Sequence, residues 1–549
     1  MVASAGQIQA ETYYWVGGAS GNWSAANAWN TALDNSGTPL TWNASRPADT
    51  AIIGAGFTVF NDFATAVPPG QRALAIQLEG VINLSGNWLN CDTLSGNGTI
   101  TNKSGGGLGA ANNGNDIIVY ADSTFDGIFA DGTGGRTGAT ALGCTLTLTN
   151  VNTNTFRMTL ASATGDSIIK LTGAGSIDNS YVNFKGTNNT RFDISGISRE
   201  VAIIKMIGTD VNAGAADGQF ILGSKYLQIG HHGQSNNTSS DWNGTSHYAG
   251  IAGSIGSANG TDTGGIIKEG KFALTFNPVL DGRQARYRGE TRINEGVFRL
   301  GGNATTGATA MASSAGIVLA AVSAADASFD IATMAASDTY IQTLNGGGGV
   351  TLGAKGLRIG GTVTSPLSEI GTITGTGAGV FDGVISGTNG QLNKDGTGTL
   401  TLGGVNIYTG KTTVSGGVLT FSGSGSIATS SAIEITGGEL RLTDSAQVNA
   451  TAAISVTAGT LSLGSGVANF SNALGVSNSG SLLLNGQTLG GSTVVNVGSG
   501  AHVGGTGTLK GDVTIGAGGT LVVGNVGSAN NTLSLSGDVI LEAGATVEV

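Results

Sequence analysis

The feature that most constrains this chain is a unit of about 20 residues that recurs toward its C-terminal end. The segments ITGGELRL, VTAGTLSL, VSNSGSLLL, VGSGAHVGG, IGAGGTLVVG and LEAGATVEV begin at Ile435, Val456, Val476, Val497, Ile515 and Leu541. The steps between them are 21, 20, 21, 18 and 26 residues, and VSGGVLTF, from Val414, lies another 21 upstream. Each unit reads as a short alternating strand, a Gly/Ser/Asn turn and a second alternating strand. In GTLSL, Leu461 and Leu463 fall on one face while Thr460 and Ser462 fall on the other. A unit this short buries no core alone. Stacked, each becomes one coil of a solenoid whose aliphatic side chains line up in ladders. Glycine serves where the chain turns sharply, because many such positions need a positive φ. A stack of hairpins is the alternative, but the unit recurs in one direction, so parallel stacking is expected. Roughly 20 coils at about 4.8 Å spacing predict a rod on the order of 100 Å long.

Composition points the same way. The 549 residues include 96 Gly but only 6 Pro, and the glycines keep no three-residue period, which excludes collagen. Apolar residues reach 39%, too many for a disordered tail. Charged residues are 11%, well under the usual quarter or so, which leaves few charged helix faces. The expected class is all-β, a parallel β-helix. Net charge is −11 with 24 Lys+Arg and no clustered basic footprint, which argues against nucleic acid as a partner. Beyond residue 443 there is one Lys, Lys510, and no Arg. Low charge beside exposed strands removes a guard against strand-to-strand association and favours a homo-polymer.

No apolar run of about 20 residues is present, so no transmembrane helix is expected. The Ala-rich stretch from Gly316 to Ala336 is broken by Asp326 and Asp330. MVASAGQIQA has neither a charged n-region nor an apolar h-region, and reads as a mature or trimmed start with Gln-Ala as the scar of a signal peptide.

A second, longer repeat runs from Lys268 to Leu300 (KEGKFALTFNPVLDGRQARYRGETRINEGVFRL) and from Lys394 to Phe421 (KDGTGTLTLGGVNIYTGKTTVSGGVLTF). Both read K-[DE]-G, an alternating strand, Y-x-G, then two short strands split by E-G or G-G. From Tyr287 and Tyr408 onward they align without gaps, and the first copy carries extra residues before Tyr287. This pattern resembles the autotransporter-associated β-strand repeat, also called the passenger-associated transport repeat. FDGVISGTNGQL (Phe381–Leu392) and GGTGTLKGDVTIGAGGTL (Gly504–Leu521) resemble what flanks it. The opening YYWVGGASGNWSAANAW is similar to the Trp-rich start of many large secreted bacterial proteins of this kind. The resemblance implies a right-handed parallel β-helix, export across the envelope and a surface location, with no single activity. It divides the chain into a Trp-rich entry region (1–60), an irregular β-solenoid with long loops (61–265), and a regular β-helix (266–549) with the repeats at 266–300 and 391–421.

Trp15, Trp23, Trp29 and Trp42 are expected to cap the open end of the solenoid. A carbohydrate-binding platform is the alternative. Autotransporters typically end in a membrane β-barrel of alternating strands with aromatic girdles. Here GATVEV falls mid-pattern, which predicts an open last coil, a template for the N-terminal region of the next subunit and hence a filament.

Chemistry is harder to find. Polysaccharide-cleaving β-helices place paired carboxylates, or a carboxylate with a basic residue, on one face of adjacent coils. No such cluster recurs at the coil spacing among the 35 Asp+Glu, and no enzyme is expected. His231, His232, Asp241 and His247 carry metal-ligating groups, but they sit in HHGQSNNTSSDWNGTSHY, which reads as a polar loop leaving the rod. No metal or cofactor is therefore expected. With Trp242 and Tyr248 the loop is a candidate contact for surface glycans or a neighbouring subunit. NNGNDIIVY (Asn112–Tyr120) is faintly similar to a calcium-binding nonapeptide but occurs once, and a turn followed by a strand explains it as well. Arg283, Arg286, Arg288 and Arg292 lie near Asp281, Glu290 and Glu295, either a salt-bridged loop or a contact patch for an acidic neighbour. Cys91 and Cys144 fit no CxxC motif, and form either one disulfide or two buried small residues. Three functions stay open: a self-associating surface fibre or matrix protein, an adhesin binding glycans, and a glycan-cleaving enzyme.

Overall fold

The computed structural model describes residues 10–42, 46–62, 72–84, 89–101, 116–130, 138–141, 144–152, 157–162, 167–177, 181–186, 190–198, 201–204, 206–209, 219–230, 250–251, 254–256, 260–276, 285–301, 309–320, 327–364, 372–467, 470, 472–490, 494–524 and 532–549. The chain divides into two compact units, residues 1–257 with 261–267 and residues 258–260 with 268–549. The described secondary structure is almost entirely strand, with a short 3-10 turn at Ser445–Gln447. Among the described residues no helix is long and apolar enough to cross a membrane.

In the second unit, the sequence repeat is the coil of a parallel β-helix. Val414, Ile435, Val456, Val476, Val497, Ile515 and Leu541 pair with one another in that order, all in parallel register. The residues that align in the sequence are therefore the residues that stack in space. A slip of one residue would turn every inward side chain outward, so the aliphatic pattern holds the register. A second ladder runs through Leu400, Leu419, Leu440, Leu461, Leu482, Val503 and Leu521. All seven are buried, and each contributes about 1.5–3 kcal/mol of apolar burial. The third side of the coil is thinner. It consists of parallel bridges such as Ile427 to Val448 and the short strands Gln487–Leu489, Gly507–Leu509 and Leu533–Leu535.

One coil carries an insertion. Gly361–Thr364 and Thr372–Gly375 form an antiparallel hairpin. The Tyr340 hydroxyl holds its root, donating to Gly361 O at 2.7 Å and accepting from Gly375 N at 2.9 Å. Ile359 and Lys394, on either side of the insertion, still pair directly.

The first unit coils as well. Val59, Ile82 and Ile100 form one parallel ladder, and Leu146, Ile169, Phe192, Phe220 and Ile255 form another. Both ladders are buried. The steps in the second are 23, 23, 28 and 35 residues, so the coil keeps its strands and varies its corners.

One edge of the first unit's main sheet breaks the parallel rule. Thr12–Trp15 pairs in parallel with Arg46–Ile53, but antiparallel with Trp29–Asn30, which pairs antiparallel with Pro39–Leu40. The sheet thus ends in a two-residue strand bearing a proline, which offers little edge to another chain.

Candidate functional site

The two long repeats, both in the second unit, hold the most structured polar chemistry among the described residues. Lys394 ends the strand Gln391–Lys394, where alternation puts it on the inward face with Leu392. It pairs with Ile359 on one side and Val414 on the other, so an ammonium stands in an otherwise aliphatic ladder. It is fully buried and its three N–H groups are all used. They donate to Asp395 O at 2.7 Å, Gly396 O at 3.1 Å and Gly416 O at 3.0 Å. Two of these carbonyls belong to its own turn and the third to the turn of the next coil.

Lys268 repeats the arrangement. It is fully buried and donates to Glu269 O at 2.8 Å, Gly270 O at 2.5 Å and Glu295 O at 2.9 Å. The glycines follow suit: Gly270 and Gly396, and then Gly296 and Gly417, all have positive φ. At Gly296 and Gly417 a Cβ would also collide with the carbonyl of Gly270 or Gly398 in the preceding coil. A residue with a side chain fits neither the torsion nor the space there.

The acid beside each lysine reaches forward. Asn294 Nδ2 donates to Glu269 Oε1 at 2.6 Å, and Ser415, its counterpart, donates to Asp395 Oδ1. Asp395 is also paired with Arg358 of the preceding coil at 2.8 Å. Each tyrosine starts a hydroxyl relay. Tyr287 Oη lies 2.5 Å from Thr291 Oγ1, which is 3.1 Å from Ser314 Oγ, which donates to Gly289 O at 3.0 Å. Tyr408, Thr412, Ser430 and Gly410 repeat it at 2.7, 2.9 and 2.9 Å. These tyrosine, threonine and serine side chains are buried, and every hydroxyl in the relays has a partner, as burial requires.

Burial sets the electrostatics. It pushes Lys268 down to about 7, with Glu295 and then Glu269 pulling back toward the charged form. Lys394 is pushed down to about 8, again by burial, with Asp395 opposing. The Phe272 ring lies 3.9 Å from Lys268 Nζ, a cation–π contact. Burial also raises Tyr408, so its hydroxyl stays protonated.

Trp15, Trp23, Trp29 and Trp42 form one cluster, with ring centroids 5.3 Å apart for Trp15–Trp29, 4.7 Å for Trp23–Trp29 and 5.1 Å for Trp29–Trp42. None is more than 3% exposed. They cap the first unit, and their burial leaves no open ring face for a sugar, so the carbohydrate-platform reading of these four fails. Arg288 donates to Gly260 O at 2.9 Å, Arg292 pairs with Glu290 at 2.9 Å, and Arg286 is half-buried. Arg283 lies outside the described residues, as do His231, His232, Asp241, Trp242, His247 and Tyr248. The strand Asp116–Val119 includes the second half of the nonapeptide-like segment, whose first half lies outside them. Cys91 and Cys144 are buried and present as thiols. Cys144 Sγ donates to Val119 O at 3.3 Å, and Val119 is the register partner of Cys91.

Lys268, Lys394 and the hydroxyl relays had no role assigned from the sequence. The signal was there, in the recurrence of K-[DE]-G and Y-x-G-x-T and in an alternation that turns both lysines inward. Ser314 and Ser430 lie beyond the aligned copies.

Residues 392–421 match the family model of the passenger-associated-transport-repeat. The matched segment contains Lys394, Asp395, Tyr408, Thr412 and Gly417. No curated protein and no solved structure matches the chain.

Proposed function

We propose that this chain is a passenger-type β-helix of an exported bacterial surface protein, with a structural and adhesive role and no catalysis of its own. The observation that supports it is the passenger-associated-transport-repeat at 392–421, placed in a parallel β-helix. Such a repeat points to a secreted or surface-exposed passenger. The candidate adhesive segment is His231–Tyr248, through Trp242 and Tyr248. Protease applied to intact cells producing the full chain should remove it; survival until the envelope is broken would sink the surface reading. Trp242→Ala with Tyr248→Ala should abolish binding on a glycan array, and unchanged binding removes that loop from the proposal. Turnover of anionic polysaccharide would overturn the non-catalytic role.

A second reading, end-to-end self-association into a fibre or matrix, is favoured by one observation. Beyond residue 443 the coils carry one Lys, Lys510, and no Arg, and strands so short of charge lack a guard against pairing with a second copy. Sedimentation should then show association that rises with concentration; a monomer at every concentration removes this reading.

A further inference from the structure

We infer that the interface between the coils 391–411 and 412–431 is a built-in stop to coil-by-coil unwinding. In a solenoid each coil is held by its own stability and by the interfaces with its two neighbours, so opening travels until it meets an interface that does not yield. Eight side-chain hydrogen bonds cross this one interface, counting second bonds from Ser415 Oγ to Lys394 O at 3.4 Å and from Thr429 Oγ1 to Asn406 O at 3.3 Å. Lys394 reaches Gly416 O, Ser415 reaches Asp395, and Tyr408 meets Thr412. Asn406 Nδ2 donates to Ser426 O at 2.9 Å, Thr429 Oγ1 donates to Tyr408 O at 2.7 Å, and Ser430 Oγ donates to Gly410 O.

Most of these groups are buried. Lys394, Asn406, Thr412 and Ser430 are fully so. Peeling the coil 412–431 away would strand a buried ammonium, an amide and a buried hydroxyl together, each without its partner in the next coil. The interfaces beyond residue 474 lack this, whereas nearer the stop a buried Asn472 still donates to Asn449 O and Ala452 O. Among the described residues from 474 on, the side-chain hydrogen bonds between coils are Asn485 Nδ2 to Ser462 Oγ at 3.0 Å and Asp538 N to Asp512 Oδ1 at 3.0 Å. The first joins an exposed Asn485 to a buried Ser462 and the second is exposed, so only one buried side-chain group loses a partner when these coils part. The stop also anchors backward. Asp395 holds Arg358, and Asn406 Oδ1 accepts from Ile385 N at 2.9 Å, so the coil 391–411 is tied to the one before it.

Native-state hydrogen exchange of the full chain, read by mass spectrometry, tests this. Peptides within 391–431 should exchange at least tenfold more slowly than peptides within 474–523, with the step near residue 431. Thr412→Val suits the ladder, since its register partners are Leu392 and Ile433, and it removes the relay without a cavity. It should bring the exchange of 391–431 to within about threefold of the later coils. Should that variant fail to fold, Ser415→Ala removes only the bonds to Asp395 and Lys394 O and should still shrink the step. Lys411→Ala, which removes an outward pair to Glu434, should leave it in place. Uniform exchange across 391–523 would overturn the inference. So would a step that neither Thr412→Val nor Ser415→Ala moves, or one that Lys411→Ala moves as far.

Discussion

The two long repeats make the same contacts from unequal chain. Nineteen positions separate Lys268 from Tyr287 and fourteen separate Lys394 from Tyr408, yet both lysines fill a three-carbonyl cradle and both tyrosines start the same relay. The family model matches only the second copy. What the copies share is a handful of polar positions whose partners cannot be exchanged without stranding a buried group. What they do not share is the length of chain between lysine and tyrosine. They also differ in how the ammonium is satisfied. Lys268 lies against Phe272 and beside Glu295, whereas the counterparts of these residues are Gly398 and Gly416.

The hardest test of the equivalence is at the turn glycines. Gly296→Ala and Gly417→Ala should each lose about 3 kcal/mol, combining about 1–2 for the left-handed torsion with about 1–3 for overpacking. Urea denaturation would read it, and a tolerated alanine in one copy but not the other would break the comparison. Next come the lysines. Lys394→Met leaves three carbonyls unmet, at about 2 kcal/mol. Lys268→Met should cost about 0.5–1 kcal/mol more, because the ring contact goes too; equal losses would mean that Phe272 contributes nothing.

The pH dependence sharpens the same difference. The folded-state values of about 7 and about 8 lie below the ordinary 10.5 of a lysine. Between folded and unfolded values the unfolded chain binds more protons, so stability rises with pH. The rise should begin near pH 7 for Lys268 and near pH 8 for Lys394, and should level off near 10.5. Denaturation midpoints across that range should lose the earlier part of the rise in Lys268→Met alone. Tyr287→Phe and Tyr408→Phe each remove one buried hydroxyl bond, about 1 kcal/mol in either copy. Lys411→Ala is the smallest, within about 0.5 kcal/mol, because the pair with Glu434 is exposed. A larger loss there would mean that an outward lysine matters as much as an inward one.

The regular coils were legible because their period barely varies. Ile435, Val456 and Val476 announce their own register by falling 21 and 20 residues apart. The ladder from Leu146 to Ile255 has the same construction but steps of 23 to 35 residues, which hides it from any search at fixed spacing. The tryptophans were legible as a cap, since four large rings in a short span need a common interior. The lysines were harder. Lysine ordinarily marks a solvated face, and only the alternation with Leu392 and Ile266 says otherwise. The partners of Lys394 are backbone carbonyls, which carry no side-chain signature at all. Ser314 and Ser430 join through the stacking of coils, a proximity that neighbours in sequence do not reveal.

The hairpin rooted on Tyr340 separates length from order. Ile359 and Lys394 are 35 positions apart in the chain and adjacent in the ladder, with the hairpin strands Gly361–Thr364 and Thr372–Gly375 lying between them in sequence. Insertions or deletions at that corner would change what the molecule displays without renumbering what it stacks. Variation can therefore accumulate at such corners while the inward ladder stays under its own, stricter constraint, and a foreign epitope placed there would inherit a mount fixed by Tyr340.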